Sequence, residues 1–249
     1  MRNHKGKMLP SARECAIISQ DYFRDMSLFS QEVHCMCGNY DQMSEDARKL
    51  FLTSDQEAIL AKFRLKHTAD AMFIRFLNRE YRIDRSSGRI QAADTGAPAG
   101  NDETMSIYDM LCYSASSPSL PVLTGEWESL SSLGGIIGTS HTQKRLYTEK
   151  MLAAFTGHTA EMRAACEQLG GHASRGADVS YILPVFDFFP VWMEFWDGDD
   201  EFPPNIQFLW DKNSLQFLHY ETLWYCTQFL EKELTRIIQA MQRTASYGK

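Results

Sequence analysis

The sequence lacks a long uninterrupted apolar run. Its most apolar stretch, YILPVFDFFPVWMEFW at residues 181–196, is interrupted by Pro184, Asp187, Pro190 and Glu194. A membrane-spanning helix needs about 20 consecutive apolar residues. The N-terminal MRNHKGK is basic, but Arg13 and Glu14 in the following LPSARECAII preclude the apolar region of a signal peptide. We therefore expect a cytoplasmic protein without a membrane span.

Basic residues are also scarce. The chain has 25 Lys and Arg against 32 Asp and Glu, which gives a formal net charge of -7. Proteins that bind nucleic acid through the phosphate backbone concentrate positive charge on one surface, and the sequence contains no such run. The six cysteines are scattered, and without an export signal we expect reduced thiols. The sequence thus predicts neither a nucleic-acid partner nor a disulfide framework.

Several motifs that define catalytic classes are missing. The sequence contains no G-x-S-x-G, no H-E-x-x-H, no dinucleotide-binding glycine fingerprint and no kinase motifs. VHCMCGNY at residues 33–40 places His34, Cys35 and Cys37 together, but C-x-C spacing matches a structural zinc site poorly. A short half-buried strand is the simpler interpretation there. The sequence leaves open whether the protein is an enzyme, and it identifies no cofactor.

The sequence does contain the patterns of an ordinary globular protein. Of its 249 residues, 44% are hydrophobic and 23% are charged. A capping box at residues 54–57 opens a helix, and residues 71–92 alternate apolar and polar side chains as an antiparallel meander does. Strands are expected at about 179–188, 190–196 and 205–210, and a long helix at about 219–242. Strands in hairpins and helices in blocks predict an α+β fold, with a central antiparallel sheet, helices packed on it and a long C-terminal helix.

The most informative stretch is WDGDDEFPPNIQFLWD at residues 196–211. Four carboxylates lie within five positions of it, namely Asp197, Asp199, Asp200 and Glu201. This spacing begins like a calcium loop, but Phe202-Pro203-Pro204 replaces the later ligands. Asp-Gly is a favoured turn dipeptide, so a hairpin turn is the simpler interpretation. Ligand recognition and a metal site are the alternatives.

Three nearby residues are further candidates for a binding site. Asp187 lies within an apolar run, where a buried carboxylate requires a partner or a raised pKa. At a strand end it would instead face solvent. His172 and Arg175, in LGGHASRGAD at residues 169–178, are placed to bind an anionic group, although Gly170-Gly171 is explained as a helix stop.

Four of the five tryptophans lie close to the acidic turn in sequence, namely Trp192, Trp196, Trp210 and Trp224. Core filling explains indole rings first, but they also line ligand pockets and interfaces. We expect the acidic turn and the indole-rich strands to frame one pocket. The candidate ligand-binding residues are Asp187, Trp196, Asp197, Asp199, Asp200, Glu201, His172 and Arg175.

The last two-thirds of the chain resemble a known prokaryotic family. The segments that carry the resemblance are REYRID (79–84), YDMLCY (108–113), TGEWESL (124–130), residues 169–211 and FLHYETLWY (217–225). They resemble the domain of unknown function three-seven-eight-six over about residues 70–240. The resemblance implies relatives in anaerobic bacteria and archaea, some fused to an iron-sulfur module like that of corrinoid methyl-transfer proteins. This chain has no C-x-x-C run with two further cysteines and so carries no such module.

These observations predict one α+β domain over residues 1–249, with residues 1–70 mostly helical and residues 71–249 forming the family core. We expect an amphipathic helix at about 12–29. The leading functional hypothesis is a cytoplasmic binding or accessory protein for a small molecule, cofactor or partner protein of anaerobic one-carbon or corrinoid metabolism. The alternatives are a metal-dependent enzyme that uses residues 197–201 and a homo-oligomer joined through exposed tryptophans.

Overall fold

The computed structural model describes residues 36–113, 119–134 and 149–247. The chain divides into two compact units, Met1–Gln42 and Met43–Lys249. Every strand of the described ranges belongs to the second unit. The helix expected at residues 12–29 lies outside the described residues, as do His34 and Cys35.

Two helices and four strands come first along the chain. They are α1 (Met36–Thr53), α2 (Gln56–Phe63), β1 (Lys66–His67), β2 (Ala71–Phe76), β3 (Arg79–Asp84) and β4 (Ile90–Ala92). The capping box predicts the start of α2 to within one residue, and the cap itself is Asp55, whose carboxylate accepts the N–H groups of Glu57 and Ala58. The strand expected at residues 33–40 is wrong from Met36 onward, because the helix-forming residues that follow extend α1 back to that point.

The meander expected over residues 71–92 is confirmed. β2 and β3 pair in register from Ala71 with Asp84 to Phe76 with Arg79, and β4 pairs with β3. The two turn residues, Leu77 and Asn78, both have positive φ, at 45° and 60°. This is the backbone of a two-residue type I′ turn, whose twist matches that of the strands it joins.

The remaining elements end in a second hairpin and a long helix. They are α3 (Asn101–Cys112), β5 (Trp127–Ser129), α4 (Leu130–Leu133), α5 (Glu149–Phe155), α6 (Thr159–Gln168), β6 (His172–Ala173), β7 (Val179–Phe186), β8 (Phe189–Trp196), β9 (Asn205–Asp211), a 3-10 turn (Ser214–Gln216) and α7 (Tyr220–Tyr247). β7 ends two residues earlier than predicted, because residues 187–188 form the turn to β8. The long C-terminal helix is confirmed.

All described strands form one antiparallel sheet in the order β4-β3-β2-β7-β8-β9-β5. β1 pairs with β2 and β6 pairs with β7, each beside the start of its hairpin. β2 and β7 join the two hairpins through a single register pair, Phe76 with Phe186. The N–H of Leu77 also donates to the carbonyl of Val185 at 2.9 Å.

The two halves of this sheet repeat the same order of elements. Each has a helix, a two-residue strand, a hairpin and one further strand: α2 to β4 in the first half and α6 to β9 in the second. The joining pair, Phe76 and Phe186, consists of the last residues of equivalent strands, so an approximate two-fold axis passes through it. Each turn also contacts the helix of the other half. Asn78 Nδ2 donates to the carbonyl of Gln168, and the Phe188 ring lies 5.4 Å from that of Phe63.

A layer of helices covers one face of the sheet, here called the inner face. Aromatic pairs join the two layers: Phe76 with Phe229, Phe155 with Phe195 and Phe189 with Phe217. The predicted apolar side of α7 is buried here, at Leu223, Thr227, Leu230, Leu234 and Ile237. The inner face therefore forms the core, and most of the fold's apolar burial lies between these layers.

Among the helices that the structure describes, none combines the length and the apolar character that a membrane span requires.

Candidate functional site

The acidic turn between β8 and β9 is organised by its own backbone. Asp199 Oδ1 accepts the N–H groups of Glu201 at 2.8 Å and Phe202 at 2.7 Å. The N–H of Asp199 in turn donates to the carbonyl of Phe202 at 2.9 Å. These N–H donors hold the pKa of Asp199 below its ordinary value. Asp199 therefore has a structural role that is sufficient to explain it.

The other carboxylates of this turn do not converge on Asp199. Both oxygens of Asp197 accept the N–H of Gly157, at 3.0 and 3.1 Å, and so fix the connection between α5 and α6. Asp200 and Glu201 are exposed. Within the described ranges, no group of three or more His, Cys, Asp or Glu side chains is arranged to hold a metal ion. The metal-enzyme alternative thus has no ligand set in this part of the chain.

Asp187 is not a buried acid. It lies in the two-residue turn between β7 and β8, and 65% of its side chain is exposed. Its carboxylate is 3.9 Å from Arg75 Nε of the first half, a contact too long and too exposed to contribute much. The apolar run around it predicted a strand, but a bulge between Pro184 and Phe186 shifts the register and places Asp187 in the turn.

His172 and Arg175 are exposed at the other end of the second half. His172 belongs to the short strand β6, where it is the cross-strand partner of Ile182 on β7. Arg175 lies in the loop from β6 to β7. The next residue, Gly176, has a φ of 138° and lies against Glu194 of β8. A Cβ atom at position 176 would be 2.3 Å from Glu194 Oε1 and 3.8 Å from the Trp192 ring. The loop that carries Arg175 is thus brought onto the outer face of the sheet.

This outer face of the second half is rich in indole rings. In β8, Val191, Met193 and Phe195 are fully buried on the inner face. The alternate residues point outward together with their cross-strand neighbours on β5, β7 and β9. We call this set the tryptophan face: Trp127, Ser180, Ile182, Trp192, Glu194, Trp196, Gln207 and Leu209.

Most side chains of the tryptophan face are half-buried and so remain accessible to a ligand. Trp192 Nε1 donates to Ser180 Oγ at 2.9 Å, which fixes the plane of its ring. The Trp127 ring meets the Trp192 ring edge to face, with 5.9 Å between centroids. Two indole rings at this angle form a corner, which is a geometry that can surround a small group.

Glu194 lies between the indole rings of Trp192 and Trp196 along β8. The residue is only 6% exposed. Its Oε2 accepts Gln207 Nε2 at 2.7 Å, whereas Oε1 accepts no hydrogen bond from any described residue. The backbone of Gly176 packs against Oε1, since a Cβ atom on that residue would be only 2.3 Å from it.

Asp211 holds Trp127 in place. The carboxylate of this residue, which is 1% exposed, accepts the N–H groups of Thr124 at 3.1 Å, Gly125 at 2.7 Å and Asn213 at 2.9 Å. Burial alone would raise the pKa of Asp211, but these donors outweigh it and the pKa lies below its ordinary value. The loop before β5 is thereby pinned to the end of β9, and the Trp127 ring is brought beside Trp192.

The pocket expected from the sequence is therefore only partly assembled. Trp210 is fully buried on the inner face, and Trp224 lies on α7 with its ring 6.5 Å from that of Tyr220. Trp196 joins the tryptophan face, and the acidic turn begins at the next residue. Strand alternation in β8 was sufficient to group Trp196 with Trp192 and Glu194. Trp127 had no such signal, because it comes from a strand that lies 65 residues earlier in the chain than Trp192.

A carboxylate–imidazole pair lies in the helix layer. Asp109 Oδ1 is 2.6 Å from His219 Nδ1, and its Oδ2 accepts the N–H of His219 at 2.8 Å. Tyr113, the C-cap residue of α3, packs on the imidazole with 3.8 Å between ring centroids. Burial would lower the pKa of His219, but the Asp109 carboxylate outweighs it and the pKa is raised. His219 directly precedes Tyr220, the first residue of α7.

Two further features of the helix layer have no link to the tryptophan face. A depression of about 530 Å³ between α6 and α7 is lined by Gln168, Arg236, Ile237, Ala240, Met241 and Thr244. Arg236 is already paired with Glu233 there. Glu231 on α7 is buried, and its Oε1 has no partner among the described residues. Burial raises the pKa of Glu231 to about 8.

Comparisons with known proteins give one match. The family model for the Domain of unknown function (DUF3786) matches residues 55–232, a range that contains both halves of the sheet and the tryptophan face. No curated protein and no solved structure matches the chain. The resemblance expected from the sequence is confirmed, and the fusion of relatives to an iron-sulfur module stays a prediction.

Proposed function

The chain belongs to the DUF3786 family, whose function is not known, and we propose that this protein is a binding module whose ligand contacts the tryptophan face. Supporting this are Trp192 and Trp196, which lie on either side of Glu194 along the outer face of β8, and Trp127, whose ring contacts that of Trp192. An accessible apolar patch that contains a few polar groups is the usual composition of a ligand site. A small molecule, cofactor or partner of anaerobic one-carbon metabolism, which the resemblance implies, is the first ligand class to screen.

The proposal relocates the site within the region that the sequence indicates. Trp196 remains a contact residue, and the Arg175 loop lies at the edge of the site through Gly176. Asp197 and Asp199 become structural residues of the turn because their oxygens are already used. Asp187, Asp200, Glu201 and His172 are exposed residues for which the geometry supports no direct contact.

A ligand screen with matched variants tests this function. Thermal unfolding and indole N–H chemical shifts would be recorded for the full chain with candidate compounds, and compared with Trp196→Ala and Trp224→Phe. Trp224 is the control because it lies on α7 and not on the tryptophan face. A ligand that raises Tm in wild type and in Trp224→Phe, but not in Trp196→Ala, is the expected result. A ligand that all three bind equally contradicts the proposed site.

Measuring the mass in solution of the same variants addresses the oligomer alternative. A tryptophan face that contacts a second copy of the chain would give a mass in solution that rises with concentration. That rise would be absent in Trp196→Ala and retained in Trp224→Phe. If the protein is a monomer at every concentration, the oligomer alternative is wrong and the ligand-binding proposal is unchanged.

An enzymatic function has one specific observation in its favour, the Asp109–His219 pair. Asp109 holds Nδ1, which leaves Nε2 of a half-exposed imidazole available to take or give a proton. Any turnover found in a substrate screen would then be lost in His219→Gln and retained in Trp196→Ala. The opposite pattern would assign the turnover to the tryptophan face.

A further inference from the structure

The acidic turn between β8 and β9 carries more negative charge than its backbone requires. In the first half the equivalent turn joins β3 to β4, and Asp84 organises it by accepting the N–H groups two and three residues later. Asp199 accepts the N–H groups at the same two positions of the acidic turn. Asp200 and Glu201 are therefore additional to the carboxylate that holds the turn, and both are exposed.

The equivalent turn of the first half carries charge of the opposite sign. Arg85 and Arg89 are its first and last residues, and Arg85 is paired with Glu57. Residues 197–201 carry four carboxylates instead, and no Lys or Arg of the described ranges forms an ion pair with any of them. Because the two turns have equivalent places in one scaffold, the fold itself does not require negative charge at the second.

An exposed aromatic ring lies within the acidic turn. Phe202 is 67% exposed, although its backbone N–H and carbonyl both take part in the hydrogen bonds of the turn. The turn starts directly after Trp196 and ends at Asn205, which is the cross-strand partner of Trp196. It therefore adjoins the tryptophan face and adds an exposed ring and four carboxylates at one end of it. An exposed aromatic ring beside a half-buried apolar patch is typical of a surface that a partner covers.

The shape of the tryptophan face fits a segment of protein better than a small molecule. Its side chains come from four adjacent strands, β5, β9, β8 and β7, which together span about 14 Å. Trp192 and Trp196 are four residues apart on β8, or about 13 Å. Between them the Gly176 backbone packs against Glu194 Oε1 and fills the space there. Small molecules bind in concave sites, whereas a broad aromatic surface is typical of a protein interface.

The charge of the acidic turn decides which kind of partner fits. Exposed charges act over about one Debye length, roughly 8 Å at physiological ionic strength, so these carboxylates need no direct contact to favour a partner of opposite sign. A second copy of the chain would bring the same carboxylates and a net charge of -7. Nucleic acid and anionic lipid headgroups would meet the same repulsion. A partner with positive charge and apolar side chains matches both the turn and the indole rings.

We propose that the tryptophan face docks an extended segment of a partner protein that combines apolar and basic side chains. The apolar side chains contact Trp127, Trp192 and Trp196, and the Lys or Arg side chains lie toward the acidic turn. This inference rests on the proposed binding function and names the class of partner. The carboxylates of the turn act mainly on the rate of association, and the indole rings supply the contacts that hold the complex.

A library of random 12-residue peptides provides the direct test, because it presumes no partner sequence. Peptides that bind Trp196→Ala would be removed first, and the remainder selected on the full-length wild-type chain. We expect the selected peptides to combine aliphatic or aromatic residues with a net positive charge. Selected peptides that are neutral or acidic would overturn the inference and leave the binding function intact. If no peptide is selected, the partner class is wrong, and the small-molecule screen alone then tests the tryptophan face.

Variants of the exposed turn residues separate charge from contact. The tightest selected peptide would be titrated, and its association rate measured at two ionic strengths. Asp200→Asn combined with Glu201→Gln should slow association and weaken binding about fivefold, and the difference should shrink as salt is added. The control is Asp187→Asn, which neutralises an exposed carboxylate at the opposite end of β8 and should match wild type. Unchanged association in the double variant, or an equal loss in the control, contradicts the inference.

Two further measurements complete the test. Phe202→Ala removes an exposed ring without disturbing the core, and it should weaken the selected peptide at least about threefold, whereas Trp224→Phe should have no effect. The mass in solution without peptide distinguishes a second copy of the chain. A mass that rises with concentration in wild type but not in Trp196→Ala would assign the face to a second copy and overturn the inference.

Discussion

The two halves of the sheet share one arrangement of strands but differ in what they present outward. The first half presents Arg75, Glu80, Arg82 and Asp84 outward, and the last three of these form ion pairs within that half. The second half presents indole rings and a single carboxylate without a positive partner. Because the scaffold is the same in both, the fold does not require apolar side chains on this surface. The first half has one aromatic ring on this surface, Phe73, and the concentration of indole rings in the second half points to a requirement other than stability.

The largest effect is expected where the two halves are equivalent. Phe76 and Phe186 are 0% and 1% exposed, and their rings are 5.1 Å apart at the joining pair. Replacing either by Ala should lower the free energy of unfolding by about 4 kcal/mol, since each change leaves a cavity at the same seam. Urea denaturation of both single variants and the double variant measures this. If the losses of stability in the two single variants differ by more than about 2 kcal/mol, the two halves are not equivalent at this position.

The next effect separates the halves. Asp211→Ala removes the acceptor of three buried N–H groups and should cost about 3 kcal/mol, together with loss of the Trp127–Trp192 contact. The matched change in the first half is Asp84→Ala, whose carboxylate accepts the N–H groups of Ser86 and Ser87. That site is partly exposed, water can replace the acceptor, and about 1 kcal/mol is expected. Equal costs in denaturation would show that β5 is not held by Asp211.

The pKa of Asp211 adds a pH dependence to this difference. Because its pKa is lower in the folded state, its contribution is present above the unfolded value of about 3.9 and is lost as pH falls through the folded value. The difference in stability between wild type and Asp211→Ala should therefore narrow as pH falls below about 3.9, as measured by thermal unfolding. A difference that stays constant with pH would contradict the role of the charge.

A smaller effect is expected in the helix layer, which lies outside the comparison of outer faces. Burial raises the pKa of Glu231 to about 8, so the unfolded state loses its proton first as pH rises from 4.5. The stability that Glu231 contributes therefore falls as pH rises from 4.5 and is lost above about pH 8. Glu231→Met should therefore stabilise the protein by about 2 kcal/mol at pH 8.5 and much less at pH 4. Chemical denaturation at both pH values measures it, and indole signals of the tryptophan face should not change.

The smallest effect on stability is expected on the outer faces themselves. Trp196→Ala and Phe73→Ala each remove a half-buried aromatic ring from opposite halves, and each should cost about 1 kcal/mol. Only Trp196→Ala should weaken binding of a ligand to the tryptophan face. Titration of both variants with the same compound makes the comparison, and equal losses of affinity would show that the first half also contributes to the site.

The sequence is sufficient to predict the outline of the fold because hydrophobic periodicity survives in each element. The meander, the three strands of the second half and the apolar side of α7 follow from spacing alone. The turn at Asp187 does not, because β7 has a bulge between Pro184 and Phe186 and ends at Phe186, so that Asp187 lies in the turn. The equivalence of the halves is also hidden, since FIRFLNREYRI and YILPVFDFFPVWM share a backbone and few side chains.

The candidate site is less predictable than the fold. The acidic run drew attention through its composition, yet Asp197 and Asp199 are used by backbone N–H groups that no spacing rule reveals. Glu194 interrupts an apolar run in the sequence, and only the structure shows that Gln207 donates to one of its oxygens and that the Gly176 backbone packs against the other. Sites built from several strands depend on register, which single-sequence patterns determine poorly.

The meeting of Phe76 with Phe186 also bears on how such a chain arises. A polypeptide that contained one such half, with one helix and four strands, would expose an edge ending in the same phenylalanine. Two copies of it could close a continuous sheet by pairing that residue with its own counterpart. Tandem joining of the two copies would then free one outer surface to change while the other kept its charges, so a division of labour would follow from gene duplication.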